Sequence, residues 1–312
     1  MVETTLNFFL IGAPKSGTTL LHARLARHPQ VYLSALKEPN HFATDIDPDR
    51  FSAAFRANIP GDLEGYLAHR PLKPRQIGFV QDPEDYAKLF EDAGPDNEVV
   101  GECSTSYLWS EAAPGRVADA HPHAKVLVVL RNPVERLHSH WLMARKYGFT
   151  TLDLLDAVAQ DVAHPDPGWG RSELFVEAGL YAEGLRRWMD RFPAAQVKVL
   201  LNEDLNRPET WTDLREWLEL ESAIPEVERN MGNPAGRARF ESINAWLTRS
   251  GVKAAAGRWL PEPMKRTVGR GWYTQEGLAP LSPEDRAVLL PRFEADIRAT
   301  EALIGRDLSH WS

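Results

Sequence analysis

The stretch FFLIGAPKSGTTLL, residues 8–21, sets Lys15 and the small residues Ser16, Gly17, Thr18 and Thr19 between an apolar run and a helix-like pattern. Such a strand–turn–helix has the parts of an anion grip. Gly12 allows a tight turn, Pro14 stiffens it, and the helix starting near Thr18 offers unpaired N–H donors and a positive dipole end. In the nucleotide triphosphate loop GxxxxGK[ST] the lysine follows the second glycine; here it precedes Gly17. Lys15 therefore approaches a bound phosphate from the strand side, toward whatever that phosphate carries. Taken alone, the stretch also reads as an ordinary strand-to-helix turn.

Three more segments carry residues suited to such chemistry. KVLVVLRNPVERLHSHW puts Arg131 at a strand's carboxyl end and Ser139 eight residues on, where a planar guanidinium fork and a hydroxyl on the same side suit phosphate oxygens. HPQVYLSALKEPNHF, residues 28–42, brings Lys37, Glu38 and His41 together, and GECSTSYLW, residues 101–109, holds the lone cysteine, Cys103. His41 and His140 are candidate proton acceptors, each also suited to packing. The acidic pairs Asp45 with Asp47 and Glu203 with Asp204 read as solvated loop carboxylates. Between Arg249 and Gly271 six basic residues stand against Glu262 alone, a basic island that includes Arg266 and Arg270 and is flanked by Trp259 and Trp272.

Positioning these residues calls for an α/β fold. Apolar runs at 6–12, 99–103, 125–131 and 197–205 read as strands, each ending in polar residues, and the patterns at 18–28, 133–147, 180–192, 210–220 and 283–304 as helices. Strands alternating with helices predict a central parallel sheet flanked by helices in a three-layer sandwich, with ligands beyond the carboxyl ends of the strands. A single domain over 1–312 is expected, with the irregular 45–95 as a lid or substrate-facing insertion and 249–271 as a basic loop segment.

The bulk numbers narrow the partners. Of 312 residues, 36 are basic and 44 acidic, a net charge of −8, which argues against a general nucleic-acid or anionic-membrane binder. One cysteine excludes an internal disulfide and a multi-cysteine metal site and fits a cytoplasmic location. The N-terminus lacks a basic region before its short apolar run, so neither a signal peptide nor integral membrane association is expected.

The loop, the Arg131–Ser139 pair and the Lys37–Glu38 segment together resemble the sulfotransferases that use 3′-phosphoadenosine 5′-phosphosulfate (PAPS), closest in motif style to the bacterial and heparan-sulfate-type branches. The resemblance implies a P-loop-like fold, PAPS as donor, and no metal. It implies that Lys15, Ser16, Gly17, Thr18 and Thr19 hold the 5′-phosphosulfate, that Arg131 and Ser139 hold the 3′-phosphate with Arg266 and Arg270 as closing contacts, and that Glu38 is the catalytic base. Two departures stand out: His41 replaces a common phenylalanine, and Cys103 stands where some relatives have a lysine. A small-molecule, lipid or glycan acceptor, giving up a hydroxyl or less readily an amine proton, fits the sequence; so does no particular oligomeric state. The alternative is a P-loop nucleotide kinase or NTPase, which needs Mg²⁺ and the helix-side lysine.

Overall fold

The structure, a computed structural model, describes residues 6–227, the backbone of 237–238 and 273–274, and residues 280–312. Five strands form the central sheet: β1 (Phe8–Gly12), β2 (Val31–Leu33), β5 (Val99–Cys103), β6 (Lys125–Leu130) and β7 (Val197–Leu201). Their order is β2-β5-β1-β6-β7 and every pairing is parallel. β1 is therefore central, and the segments following β1, β5 and β6 emerge side by side at one edge of the sheet. Two short parallel strands, β3 (Leu36–Lys37) and β4 (Arg75–Gln76), pair separately.

Both faces of the sheet are covered, so its strands are largely apolar on either side, with the buried Glu102 of β5 as an exception. In β1 and β6 the period-2 alternation sends Phe9, Ile11, Val126, Val128 and Leu130 to one core and Phe8, Leu10, Leu127 and Val129 to the other. The first core is closed by α5 (Ala113–Ala120), α6 (Pro133–Tyr147), α8 (Ala182–Met189) and the C-terminal Glu294–Ile304 helix through Val117, Leu137, Trp141, Leu185, Trp188 and Ile297. The second is closed by α1 (Thr18–Leu25) and α9 (Pro208–Leu218) through Leu21, Leu25, Trp211, Leu214 and Leu218. A single α/β domain of three layers results, as the strand–helix alternation predicts.

The element that carries Arg131 and Ser139 is well specified locally. Asn132 caps α6 by accepting from the Val134 and Glu135 N–H groups, Pro133 occupies the first turn, and Gly148 ends the helix at φ 84°. The Asn132 side chain also donates to the Trp311 carbonyl at 2.9 Å, tying the C-terminus to the strand end.

Three expectations change. The last helical pattern is not continuous: Pro283–Leu289 gives way to a 3₁₀ turn at Leu290–Arg292 before Glu294–Ile304. Pro291 has no N–H for the i−4 carbonyl, and its ring clashes with that carbonyl. The segment 45–95 is more regular than its composition suggests, holding α2 (Ala53–Asn58), α3 (Leu63–Leu67), α4 (Pro83–Lys88) and β4. β2 and α7 (Leu154–Val162) are additional elements. The basic island, with Arg266 and Arg270, lies outside the described residues.

Candidate functional site

The loop after β1 closes tightly around its own backbone. Lys15 is left-handed at φ 67° and Gly17 at φ 110°; the second value is one that only glycine adopts cheaply. A Cβ on Gly17 would also come within 2.6 Å of Leu205 Cδ1. The Asn202 amide, at the end of β7, donates to the Ser16 carbonyl at 2.8 Å and fixes the turn from below. Gly17 gives α1 no side-chain cap, so the first-turn N–H groups of Thr18 and Thr19 face outward as anion donors. The Ser16 hydroxyl is buried without a hydrogen bond of good geometry, beside the Tyr181 hydroxyl, which burial pushes up to about 12 against the pull of Ser16. An orphaned buried hydroxyl beside outward N–H groups fits a bound phosphate.

Cations gather at the same point. Burial, followed by the charges of Lys146, Lys37, Arg131 and Arg136, pushes the Lys15 ammonium down to about 8. Crowding of this kind is relieved by an anion of more than one charge. Arg131 follows β6 directly; its guanidinium rests on Glu135 Oε2 at 3.3 Å, and Glu135 also holds Arg286 at 3.2 Å. Both contacts are long for charge-assisted bonds, so a phosphate can displace Glu135 from the Arg131 fork. The Tyr181 hydroxyl donates to the Arg131 carbonyl at 2.8 Å and fixes the strand end. Ser139 is half-buried on α6. Arg136 is fully buried, donating to the Phe175 carbonyl and to His140 Nδ1.

Glu38 is fixed from every side. Its backbone is left-handed at φ 64°, as is Asn40 at φ 54°, and its N–H donates to the Cys103 carbonyl at 2.7 Å. The Asn40 amide donates to the carbonyls of Glu38 and Gly78 at 2.7 and 2.8 Å, so the returning 45–95 segment lies directly against it. Thr105 Oγ1 donates to Glu38 Oε2 at 2.9 Å, and Lys37 Nζ to Oε1 at 3.3 Å. Lys37 is almost wholly buried; desolvation opposes its charge, but the Glu38 carboxylate bonded to it favours the charged form, and on balance its pKa is raised. Because Lys37 also acts on Lys15, it links the loop to the carboxylate.

Of the two roles the sequence allows each histidine, the structure gives His41 the packing one. The left-handed residues Glu38 and Asn40 turn the chain so that His41 stacks on Tyr86, with ring centroids 4.0 Å apart, and bonds the Val80 carbonyl through Nδ1 at 2.7 Å. His41 is therefore in the aromatic packing behind Glu38 and is not brought to the loop. His140 does come near Lys15, and burial with the Arg136 and Lys15 charges holds it well below the usual range. Since an arginine only donates, His140 Nδ1 accepts and its proton sits on Nε2, 3.8 Å from Glu173; it has no lone pair free there to act as base.

Cys103 is buried, and burial pushes its thiol up to about 12, so it is no thiolate nucleophile. Glu203 and Asp204 serve the C-terminus: Asp204 takes a two-point contact from Arg306 at 2.6 and 3.0 Å, and Glu203 accepts from His310 and Trp311. Asp45 accepts from Ser110 and the Glu111 N–H. Among the described residues no three His, Cys, Asp or Glu side chains converge as metal ligands, and no helix is long and apolar enough to cross a membrane.

Sequence reasoning singled out Lys37 only as part of its segment, without a role, and missed Thr105, Asn40, Arg136 and Tyr181 as site residues. Thr105 and Lys37 stood inside segments already singled out, and a hydroxyl three residues past a buried strand glutamate is the signal that points to Thr105. Arg136 carries no local signal, since a surface helix arginine five residues past a strand end is commonplace.

Known proteins match this chain over the region just described. The profile of the Sulfotransferase family matches residues 7–221, which include the loop, Glu38, Arg131 and Ser139. Carbohydrate sulfotransferase 15 of Mus musculus is 27% identical over 237 residues, covering 64% of this chain and 40% of its own length. The bifunctional heparan sulfate N-deacetylase/N-sulfotransferase 2 of Bos taurus is 24% identical over 204 residues, covering 64% of this chain and 20% of its own. The chain thus spans well under half the length of these curated relatives. A crystal structure of a sulfotransferase from Alicyclobacillus acidocaldarius is similar over 99% of both chains, with a TM-score of 0.67 and 27% identity. The chain belongs to the sulfotransferase family.

Proposed function

We propose that this protein transfers a sulfuryl group from PAPS to a hydroxyl of a glycan acceptor, with Glu38 as general base. The observation that carries the reading is the convergence at one sheet edge of two unlike parts. One is an anion loop whose lysine is crowded by cations; the other is a carboxylate immobilised by Thr105 and Lys37, and Lys37 joins them. The acceptor oxygen attacks sulfur as the bond from sulfur to the 5′-phosphate oxygen breaks. The acceptor proton passes to Glu38, and the charge appearing on the departing phosphate oxygen meets Lys15 and the loop N–H groups. Arg131 and Ser139 hold the 3′-phosphate, with Glu135 as the group Arg131 releases.

A glycan acceptor is favoured because the relatives above are named for carbohydrate and heparan sulfate substrates. A cytoplasmic location, supported by the lone buried Cys103, belongs to the same reading and is checked by cell fractionation. The central test incubates the protein with PAPS and a panel of unsulfated chondroitin and heparosan oligosaccharides and follows release of 3′,5′-bisphosphoadenosine (PAP). PAP is expected to raise the melting temperature, and at least one oligosaccharide to accelerate its release. No thermal shift with PAP, or a shift only with ATP and Mg²⁺, would end this reading.

A further inference from the structure

Glu102, in β5, is 1% exposed and takes no part in the chemistry described so far. Its carboxylate is met by hydroxyls: Tyr86 and Tyr107 donate to Oε1 at 2.8 and 2.6 Å, and Ser104 donates to Oε2 at 2.6 Å. Burial pushes it up to about 7, against the pull of those three donors. A buried carboxylate is costly, and it persists where its hydrogen bonds specify something the fold needs.

What these bonds specify is the turn beside Glu38. Ser104 precedes the 3₁₀ turn Thr105–Leu108 and Tyr107 lies within it, so Glu102 grips that turn on either side of Thr105. Each residue from 104 to 107 then reaches the Glu38 segment. Ser104 Oγ accepts from the Asn40 N–H at 3.0 Å, Thr105 donates to the Glu38 carboxylate at 2.9 Å, Ser106 donates to Asn40 Oδ1 at 2.5 Å, and the Tyr107 oxygen accepts from the Phe42 N–H at 3.1 Å. Glu38 and Asn40 are both left-handed non-glycine residues, a backbone that holds only when its surroundings over-determine it.

Resting on the reading of Glu38 as base, we propose that Glu102 is a positioning residue that sets the catalytic geometry of Glu38 by pinning the Ser104–Tyr107 turn. The anion loop on β1 bonds none of these groups, so donor binding is separable from their loss. In Glu102→Gln one of the two carboxylate positions becomes an amide nitrogen that can only donate, so whichever way the amide turns, either Ser104 or the tyrosines Tyr86 and Tyr107 meet a donor in place of an acceptor. A hydroxyl proton at Ser104 or at Tyr107 is left without its acceptor, and the turn that both residues hold shifts.

The test measures PAP release from PAPS with a chondroitin oligosaccharide as acceptor, and with water alone where none accelerates it. Glu102→Gln and Ser104→Ala are each expected to lower kcat about tenfold or more, leaving the donor KM and the PAP-induced thermal shift unchanged, which also shows that both variants fold. In a Glu38→Gln background, adding Glu102→Gln is expected to cost nothing further, since Glu102 acts through Glu38. A crystal structure of Ser104→Ala is expected to show the Glu38 carboxylate displaced from Thr105. Wild-type kcat in Glu102→Gln, an equal loss with and without Glu38, or an unmoved carboxylate each overturns the proposal. Full turnover in Glu38→Gln removes the base reading and this inference with it; an inactive Glu38→Gln beside a fully active Glu102→Gln removes this inference alone.

Discussion

The anion loop and the Glu38 segment use the same backbone device toward opposite ends. The first follows the apolar β1 and the second the two-residue β3, and both place a non-glycine residue in the left-handed region, Lys15 at φ 67° and Glu38 at φ 64°. In the loop the polar groups are left open: the Ser16 hydroxyl lacks a well-formed hydrogen bond, and Lys15 is depressed by burial and neighbouring cations. Around Glu38 they are closed, because Thr105, Lys37, Asn40 and Cys103 bond its carboxylate or backbone directly. On the reading proposed above, the difference separates the grip on the donor from the acceptance of the acceptor's proton. A site for a polyanion keeps its donors unspent until the ligand arrives, whereas a general base needs its orientation fixed beforehand, since misplacement costs rate directly.

Mutations break the comparison in a set order. Glu38→Gln keeps the size and much of the hydrogen bonding but removes the proton acceptor. Turnover is expected to fall by about a hundred- to ten-thousand-fold, the range for general-base catalysis, while the thermal shift with PAP stays intact. Lys15→Ala strikes the open side. It is expected to lower kcat by about a hundred- to a thousand-fold, as removal of one donor to developing charge does, and to shrink the PAP shift as well. If Lys15→Ala spares PAP binding while Glu38→Gln abolishes it, the division of labour is the reverse of the one drawn here.

The two regions also differ in how plainly the sequence displays them. The loop was legible because its function is backbone-borne: an apolar run, Gly17 and a helix start within a few residues define it without distant partners. Arg131 and Ser139 were legible for a related reason, sharing one strand–helix unit whose cap, Asn132–Pro133, is written in the sequence. The Glu38 environment was not, because it is assembled from β5, β4 and the turn at 105–108 across large sequence separations, and no local period encodes Thr105 donating to a carboxylate 67 positions away. His41 shows the cost of this: three residues from Glu38 in sequence, it is turned into packing by the left-handed backbone at Glu38 and Asn40. At the C-terminus Pro291 was plainly visible and was outweighed by a helical apolar pattern, although a missing N–H stops a helix whatever its periodicity.

A milder change sharpens the picture at the third corner of the site. Arg131→Lys retains the positive charge but loses the planar fork, and a lysine in its place still faces Glu135. Affinity for PAP is expected to fall by about ten- to a hundred-fold, the worth of a charge-assisted hydrogen bond, with little change in kcat at saturating PAPS. Isothermal titration with PAP and with adenosine 5′-phosphate checks the assignment: the loss should disappear for the ligand lacking the 3′-phosphate. An equal loss for both ligands would move Arg131 away from that phosphate.

The smallest effect near neutrality is in pH. In the free protein the Lys15 ammonium is pushed down to about 8 by burial and by Lys146, Lys37, Arg131 and Arg136, so its positive form is lost as pH rises through that value. An anion favours the protonated form, which means that donor binding above this pH takes up a proton and weakens. From that value, kcat/KM for PAPS is expected to fall about twofold by pH 8 and about tenfold by pH 9. Lys15→Arg should flatten this limb, because a guanidinium stays charged across the range. A wild-type profile flat to pH 9 would show that the cations around Lys15 are screened or splayed before the donor arrives, and the open side of the site would then be less primed than its geometry indicates.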